Sequence, residues 1–242
     1  MKGFILAAGL GTRLKPWTDR HPKALVPVGG IPMLERVIDK FHRSGITDIT
    51  INCFHFADQI KEFLFQKGWK VNIVDETPLL LETGGAILNA ASFLEGDEPV
   101  LVHNVDILSN ANFNSLEQAH INSEAVATLL VSERESSRKL IFDPDRRLRG
   151  WHSTATNEYR PAGFTPDSQD SELAFSGIYV ISPSIINEMQ RKGWEGKFSI
   201  MDFFLNTLNE MVYKGYNQQD LELIDIGKPD SLNRANILFG QD

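Results

Sequence analysis

Along residues 1–105, short apolar, β-branched runs alternate with stretches in which apolar residues recur every three or four positions. The runs GFILAA (3–8), DITINCF (48–54), KVNIVD (70–75) and PVLVHNV (99–105) have the length and composition of buried strands. Between them, MLERVIDKFHRSG (33–45), ADQIKEFLFQKG (57–68) and GGAILNAASFL (84–94) carry the helical period. In the first helix Leu34, Val37, Ile38 and Phe41 share one face, and Gly45 is placed to end it. Strands alternating with amphipathic helices predict a parallel sheet covered on both faces.

The second half of the pattern is less regular. AVATLLV (125–131) predicts a buried strand, and RKLIFDPDRRLRGW (138–151) two short strands about an Asp-Pro turn. Residues 152–172, rich in Ser, Thr, Asp and Pro, predict a mobile surface loop. AFSGIYVI (174–181) predicts a strand, residues 200–213 a helix, LELIDIG (221–227) a last strand and PDSLNRANILF (229–239) a closing helix. No repeat, heptad run or linker divides the chain, so one α/β domain over 1–242 is expected.

Composition narrows the class. The chain has 242 residues, enough for a sizeable core, and 42% hydrophobic residues, with no apolar run near the ~20 that a membrane helix needs. The N-terminal apolar stretch runs into Gly11, Thr12 and Arg13 without a cleavage pattern, so a first strand and a cytoplasmic location are expected. Cys53 is the single cysteine and lies in a strand-like run, which predicts a buried structural thiol. A net charge of −8 argues against nucleic acid as a partner. Against that background residues 1–26 hold Lys2, Arg13, Lys15, Arg20 and Lys23 but only Asp19 as an acid. A basic cluster beside a glycine turn suits a small polyanion.

The turn GLGTRL (9–14) follows the first strand, where glycine lets backbone N–H groups approach phosphate oxygens. Two common phosphate signatures fail. The dinucleotide fingerprint needs a small residue where Leu14 stands, and Pro16 interrupts the helix that should follow. The P-loop needs Gly-Lys-Ser/Thr, which is absent.

GLGTRL, then Pro22-Lys23, then ALVPVGGIPMLERVI together resemble the opening signature of sugar-1-phosphate nucleotidyltransferases. The likeness runs through most of the chain. LETGGAI (81–87) resembles that family's base-reading loop, HNVDI (103–107) its strand-end metal aspartate, FSGIYVI (175–181) its sugar-pocket strand and LIDIG (223–227) its second metal aspartate. The resemblance implies a Rossmann-like, doubly wound, mostly parallel mixed sheet in three layers. It implies a nucleotide half (about 1–110) and a sugar-phosphate half (about 111–242). Ala7, Ala8, Gly9, Gly11, Thr12, Thr83, Gly84 and Asn104 are the implied nucleotide contacts, with Glu82, Gly177 and Arg160 on the sugar side. Within the family the chain is most similar to short single-domain members, which implies UTP and N-acetylmuramic acid 1-phosphate as substrates.

The residue chemistry agrees with that implication. A sugar-phosphate oxygen attacking the α-phosphorus of a nucleoside triphosphate brings two anions together, so positioning and charge neutralisation dominate. Arg13 offers a planar fork for the leaving pyrophosphate, and Lys23 a compact charge for the α-phosphate; these are the expected catalytic cations. Asp106 and Asp225 each follow an apolar strand, where parallel sheets collect ligands, and as a pair they suit one Mg²⁺. Taken singly, either aspartate equally suits a turn or a helix cap. Val105 stands where the family is usually small, Glu82 where relatives often carry glycine, and no lysine precedes FSGIYVI to grip the sugar phosphate. Arg160, Arg138 and Lys139 are the candidate substitutes, with closure of the polar loop 152–172 over substrate as the alternative, and the six histidines show no metal-ligand spacing. The alternatives are mannose-1-phosphate guanylyl transfer, cytidylyl transfer to a small phosphorylated alcohol, and a non-catalytic nucleotide-sugar sensor.

Overall fold

The computed structural model describes residues 1–239. The chain opens with β1 (Lys2–Leu6), crosses the glycine turn in three short 3₁₀ segments, and forms a small hairpin of β2 (Pro27–Val28) and β3 (Ile31–Pro32). There follow α1 (Met33–Arg43), β4 (Ile49–Cys53), α2 (Ala57–Lys67), β5 (Asn72–Asp75), α3 (Glu82–Asn89), α4 (Ala91–Leu94) and β6 (Val100–Asn104). The helical and strand periods of the first half therefore appear where the pattern puts them. α1 buries Leu34, Val37, Ile38 and Phe41, and Gly45 follows with φ +81°. That left-handed conformation is one glycine reaches without a Cβ clash.

After β6 come β7 (Ile107–Ser109), α5 (Phe113–Ile121), β8 (Ala127–Ser132), β9 (Arg138–Phe142), β10 (Leu148–Ser153), β11 (Glu158–Arg160) and β12 (Ser171–Ile181). The chain closes with α6 (Ser184–Arg191), α7 (Ile200–Asn206), β13 (Tyr213–Asn217), β14 (Leu223–Asp225) and α8 (Pro229–Phe239). Two expectations are corrected. Residues 152–172 are not one surface loop: they finish β10, form β11 and begin β12, and the His152 ring stacks on Tyr159 at 4.2 Å. The helix expected over 200–213 stops at Asn206, because the Thr207 hydroxyl bonds back to the Phe203 carbonyl (2.7 Å) and the backbone turns. Tyr213, fully buried, then begins a strand parallel to β8.

Ten strands form one mixed sheet in the order β11-β10-β9-β12-β6-β1-β4-β5, with β8 beside β12 and β13 beside β8. The first-half strands pair in parallel, β6 to β1, β1 to β4 and β4 to β5. β12 enters antiparallel against β6, β8 and β9 and so joins the two halves. Alternation along each strand separates two cores. Phe4, Val100, Val102 and Tyr179 face one side with α3, α6 and α7, while Ile5, Leu101, Ile178 and Val180 face the other with α1, α2 and α5. This is the expected three-layer arrangement, and burying each such side chain contributes about 1.5–3 kcal/mol. A third, smaller cluster of Leu14, Val26, Val28, Met33, Leu108, Ile226 and Ala235 seats the glycine turn against the chain's last strand and helix. No helix among the described residues is long and apolar enough to cross a membrane.

Candidate active site

The strands β1 and β6 end side by side, Leu6 opposite Asn104, and the glycine turn leaves from that edge. Gly11 has φ +63°; a Cβ there would come within 2.9 Å of both Thr18 and Lys23, so the turn is folded tightly over the Lys23 stem. The Gly11 carbonyl accepts from the Thr18 hydroxyl at 2.9 Å, which holds that fold. Ala8, Gly9, Lys23, Asn104, Val105 and Asp106 line a cleft of about 350 Å³ that opens from this edge. Ala7 stands outside the cleft lining, and its N–H donates to the buried Asn52 side chain at 2.7 Å. Thr12 is exposed in the turn and stands outside the cleft lining.

Two aspartates far apart in the chain meet through a short antiparallel ladder. β7 pairs with β14 so that Asp225 lies opposite Ile107, and the Ile226 N–H donates to the Asp106 carbonyl at 3.0 Å. Arg13 and Lys23 join them. A Cβ built on Gly227 would sit 2.7 Å from Arg13 Nη2, 2.8 Å from Asp225 Oδ1 and 3.4 Å from Lys23 Nζ. Gly227 is thus the small residue that lets two cations and a carboxylate converge, and Lys23 in turn forms an ion pair with Asp106. The Asp225 Oδ1 accepts from the Gly227 N–H at 2.8 Å. Each carboxylate keeps its second oxygen without a hydrogen bond among the described residues. Two such oxygens at one strand edge fit a small hard cation that completes its shell with phosphate oxygens and water.

A second cleft, about 730 Å³, adjoins the first and shares Thr83, Asn104 and Ser199 with it. Gly177 and Arg160 line this second space, as does Asp225. Gly177 lies in a bulge of β12 with φ +77°, and a Cβ there would come 2.7 Å from Asn104 Nδ2. The bulge thus brings the β12 backbone against the Asn104 side chain, where only a glycine fits. Arg160 bonds Asp202 at 2.8 Å, and Lys139 donates to the Arg134 carbonyl at 2.8 Å, so neither is an unengaged cation.

Most of the LETGGAI stretch forms the first turns of α3. Gly84 donates its N–H to the Phe198 carbonyl at 2.9 Å, and a Cβ on it would land in the Phe198 ring. This N–H holds the start of α3 against the segment that leads into α7. The Thr83 hydroxyl accepts from the Ile200 N–H at 2.9 Å while lining both clefts. Glu82 faces the first cleft, pairs with Lys197 at 3.4 Å and has φ +60°. This explains why glycine suits the position: the backbone there is left-handed.

Sequence reading missed Glu76. Its buried carboxylate accepts from the Asn52 amide (2.7 Å) and the Leu81 N–H (2.9 Å), tying β1, β4 and the start of α3 together. Burial raises its pKa against those bonds. Nothing local marks it, because its partners are 24 and 5 residues away and only one is near in sequence. His103 is buried between the Phe41 and Phe113 edges, and burial lowers its pKa to about 3, so it stays neutral and apart from the carboxylates. Cys53 is fully buried with its pKa raised to about 11 by burial, as a structural thiol should be. Val105 is buried in the core and also walls the first cleft.

Comparison with known proteins follows the same outline. A family model described as nucleotidyl transferase matches residues 2–241. The chain is 30% identical over 206 residues to the N-acetylmuramate alpha-1-phosphate uridylyltransferase of Caulobacter vibrioides, covering 82% of this chain and 80% of that one. It is 29% identical to the mannose-1-phosphate guanyltransferase of Debaryomyces hansenii, over 99% of this chain and 64% of that protein. The crystal structure of HddC from Yersinia pseudotuberculosis, complexed with GMP-PN, superposes with a TM-score of 0.76 at 26% identity, over 98% and 99% of the two chains. A putative glucose-1-phosphate thymidylyltransferase from Bacillus anthracis shares the fold, with a TM-score of 0.81 at 23% identity over 100% and 96%. With the family's model spanning nearly its whole length, this chain belongs to the nucleotidyl transferase family, whose relatives here act on sugar 1-phosphates.

Proposed function

We propose that the two clefts bind a nucleoside triphosphate and a sugar 1-phosphate and join them into a nucleotide sugar, releasing pyrophosphate. The observation that carries this reading is the convergence of Arg13, Lys23 and Asp225 at Gly227, with Asp106 paired to Lys23. The sugar-phosphate oxygen forms a bond to the α-phosphorus while the bond to the β-phosphate oxygen breaks. Arg13, at the outer side of the turn, takes the departing pyrophosphate with its planar fork. Lys23, held over the first cleft by Gly11, neutralises charge developing at the α-phosphate. The amides of Ala8 and Gly9 line the triphosphate, and Asn104 stands between nucleotide and sugar. Asp106 and Asp225 would hold Mg²⁺, which when bound supplies charge neutralisation shared by the two phosphates.

UTP and N-acetylmuramic acid 1-phosphate are the substrate pair we favour, supported by the Caulobacter relative. Guanylyl transfer is the second reading, favoured by the Debaryomyces relative and by the guanine nucleotide analogue in the HddC complex. A matrix of four nucleoside triphosphates against a panel of sugar 1-phosphates, scored for pyrophosphate release with and without Mg²⁺, tests both. Strongest turnover with UTP and N-acetylmuramic acid 1-phosphate is expected. A GTP maximum would select the second reading, and no release with any pair would refute nucleotidyl transfer.

A further inference from the structure

The sugar-side cleft contains guanidinium groups from Arg134, Arg138 and Arg160. Arg160 is neutralised by Asp202, and Arg138 lies on the exposed first residue of β9. Arg134 differs from both. It follows β8, is half-buried, and makes no salt bridge among the described residues. Its Nη2 donates to the Phe175 carbonyl at 2.8 Å and its Nη1 to the Glu135 carbonyl at 3.4 Å. Phe175 lies two residues before Gly177 in β12, so the anchor holds the guanidinium beside the bulge that walls the cleft.

Of five N–H donors on an arginine, two are used, and the buried Nε–H has no partner. A half-buried cation left without a counter-ion is costly, and its bonds to two carbonyls, one of them long, do not repay the desolvation. Asp225 is the acid whose charge acts on it, across the same cleft; burial favours the neutral guanidine, and Asp225 opposes that shift. A planar donor group, unneutralised and facing the carboxylate expected to hold a cation, is suited to a phosphate dianion placed between them.

We infer that Arg134 binds the phosphate of the sugar 1-phosphate, beside Asp225, in place of the lysine that the strand before Gly177 lacks. The assignment rests on the nucleotidyl-transfer reading above, and its test separates the two. Arg134→Ala is expected to raise KM for the sugar 1-phosphate at least 30-fold while KM for the nucleoside triphosphate moves less than threefold. Arg134→Lys, which keeps charge but not the fork, should recover part of that loss. Calorimetric titration with N-acetylglucosamine 1-phosphate, in the presence of Mg²⁺ and a non-hydrolysable triphosphate, reads the same contact without turnover. Wild-type binding that Arg134→Ala abolishes supports the assignment even if no substrate pair turns over, an outcome that would refute the transfer reaction alone. Unchanged sugar-phosphate affinity in Arg134→Ala overturns it, as does an equal rise in both KM values or a selective rise in Arg138→Ala instead.

Discussion

Glu82 begins α3 with φ +60°, a conformation that costs an L side chain roughly 1–2 kcal/mol. Its exposed ion pair with Lys197 offsets little of that. Glu82→Gly is therefore expected to stabilise the fold by up to about 1 kcal/mol, glycine's extra unfolded-state freedom cancelling the rest. Chemical denaturation checks this, and a loss of stability would show that the Glu82 side chain holds the turn. Glu76 makes a pH-dependent prediction. Burial lifts its folded pKa above the ordinary 4.5, so the folded state binds the proton more tightly than the unfolded chain. The stability this contributes is complete below 4.5 and is lost as pH rises through the raised value. Glu76→Gln cannot ionise, so wild type should lose stability relative to it between pH 4.5 and neutrality. Urea titrations of both proteins across that window measure the difference, and a flat difference would exclude the shift.

At the scale of elements, α3 packs through two glycines on the segment that leads into α7. Gly84 lies against the Phe198 ring, and a Cβ on Gly85 would collide with the Gly196 carbonyl. Gly84→Ala must push α7 away, with an expected cost of about 1–3 kcal/mol. Because Thr83 hydrogen-bonds Ile200 and lines both clefts, the same variant should raise KM for both substrates. Melting curves and initial rates together check this; a stable variant with normal KM values would show that the helix contact does not position the site. Element boundaries also explain where the sequence pattern misled. The 200–213 stretch keeps a helical apolar period, yet Thr207 ends the helix by capping it and Tyr213 joins β8. Residues 152–172 are polar because they cover the rim of a cleft, and polarity without a buried face does not show strand pairing.

For the whole molecule, the decisive geometry is the meeting of Asp106 and Asp225 across β7 and β14. Asp106→Asn and Asp225→Asn should each lower Mg²⁺-dependent turnover by two or more orders of magnitude, the order of ~3 kcal/mol seen when a preorganised transition-state charge is lost. If both carboxylates serve one cation, the double variant should be hardly slower than either single one. Steady-state rates at saturating Mg²⁺ give the cycle. Additive losses would mean two independent roles, and near-normal rates in both single variants would refute the shared site.

The local chemistry was legible in the sequence. The alternating periods named the strands and helices of the first half, because the same period that marks an element also selects the face it buries. The glycine turn with Arg13 and Lys23 pointed to a phosphate-handling edge, because those groups sit together along the chain, whereas Asp106 and Asp225 could be read only as separate aspartates after apolar strands. What the tertiary structure alone decided are relations between distant segments. The β7–β14 register sets Asp225 beside Asp106, and Gly227 admits Arg13 and Lys23 between them. The Asn52–Glu76 pair takes the Ala7 N–H out of use, and the Phe198 carbonyl takes that of Gly84. The β12 bulge and its Phe175 carbonyl hold Arg134 beside the sugar-side cleft. None of these has a sequence period, because each depends on which backbone groups are left unpaired once the sheet has formed, and that follows from the complete packing.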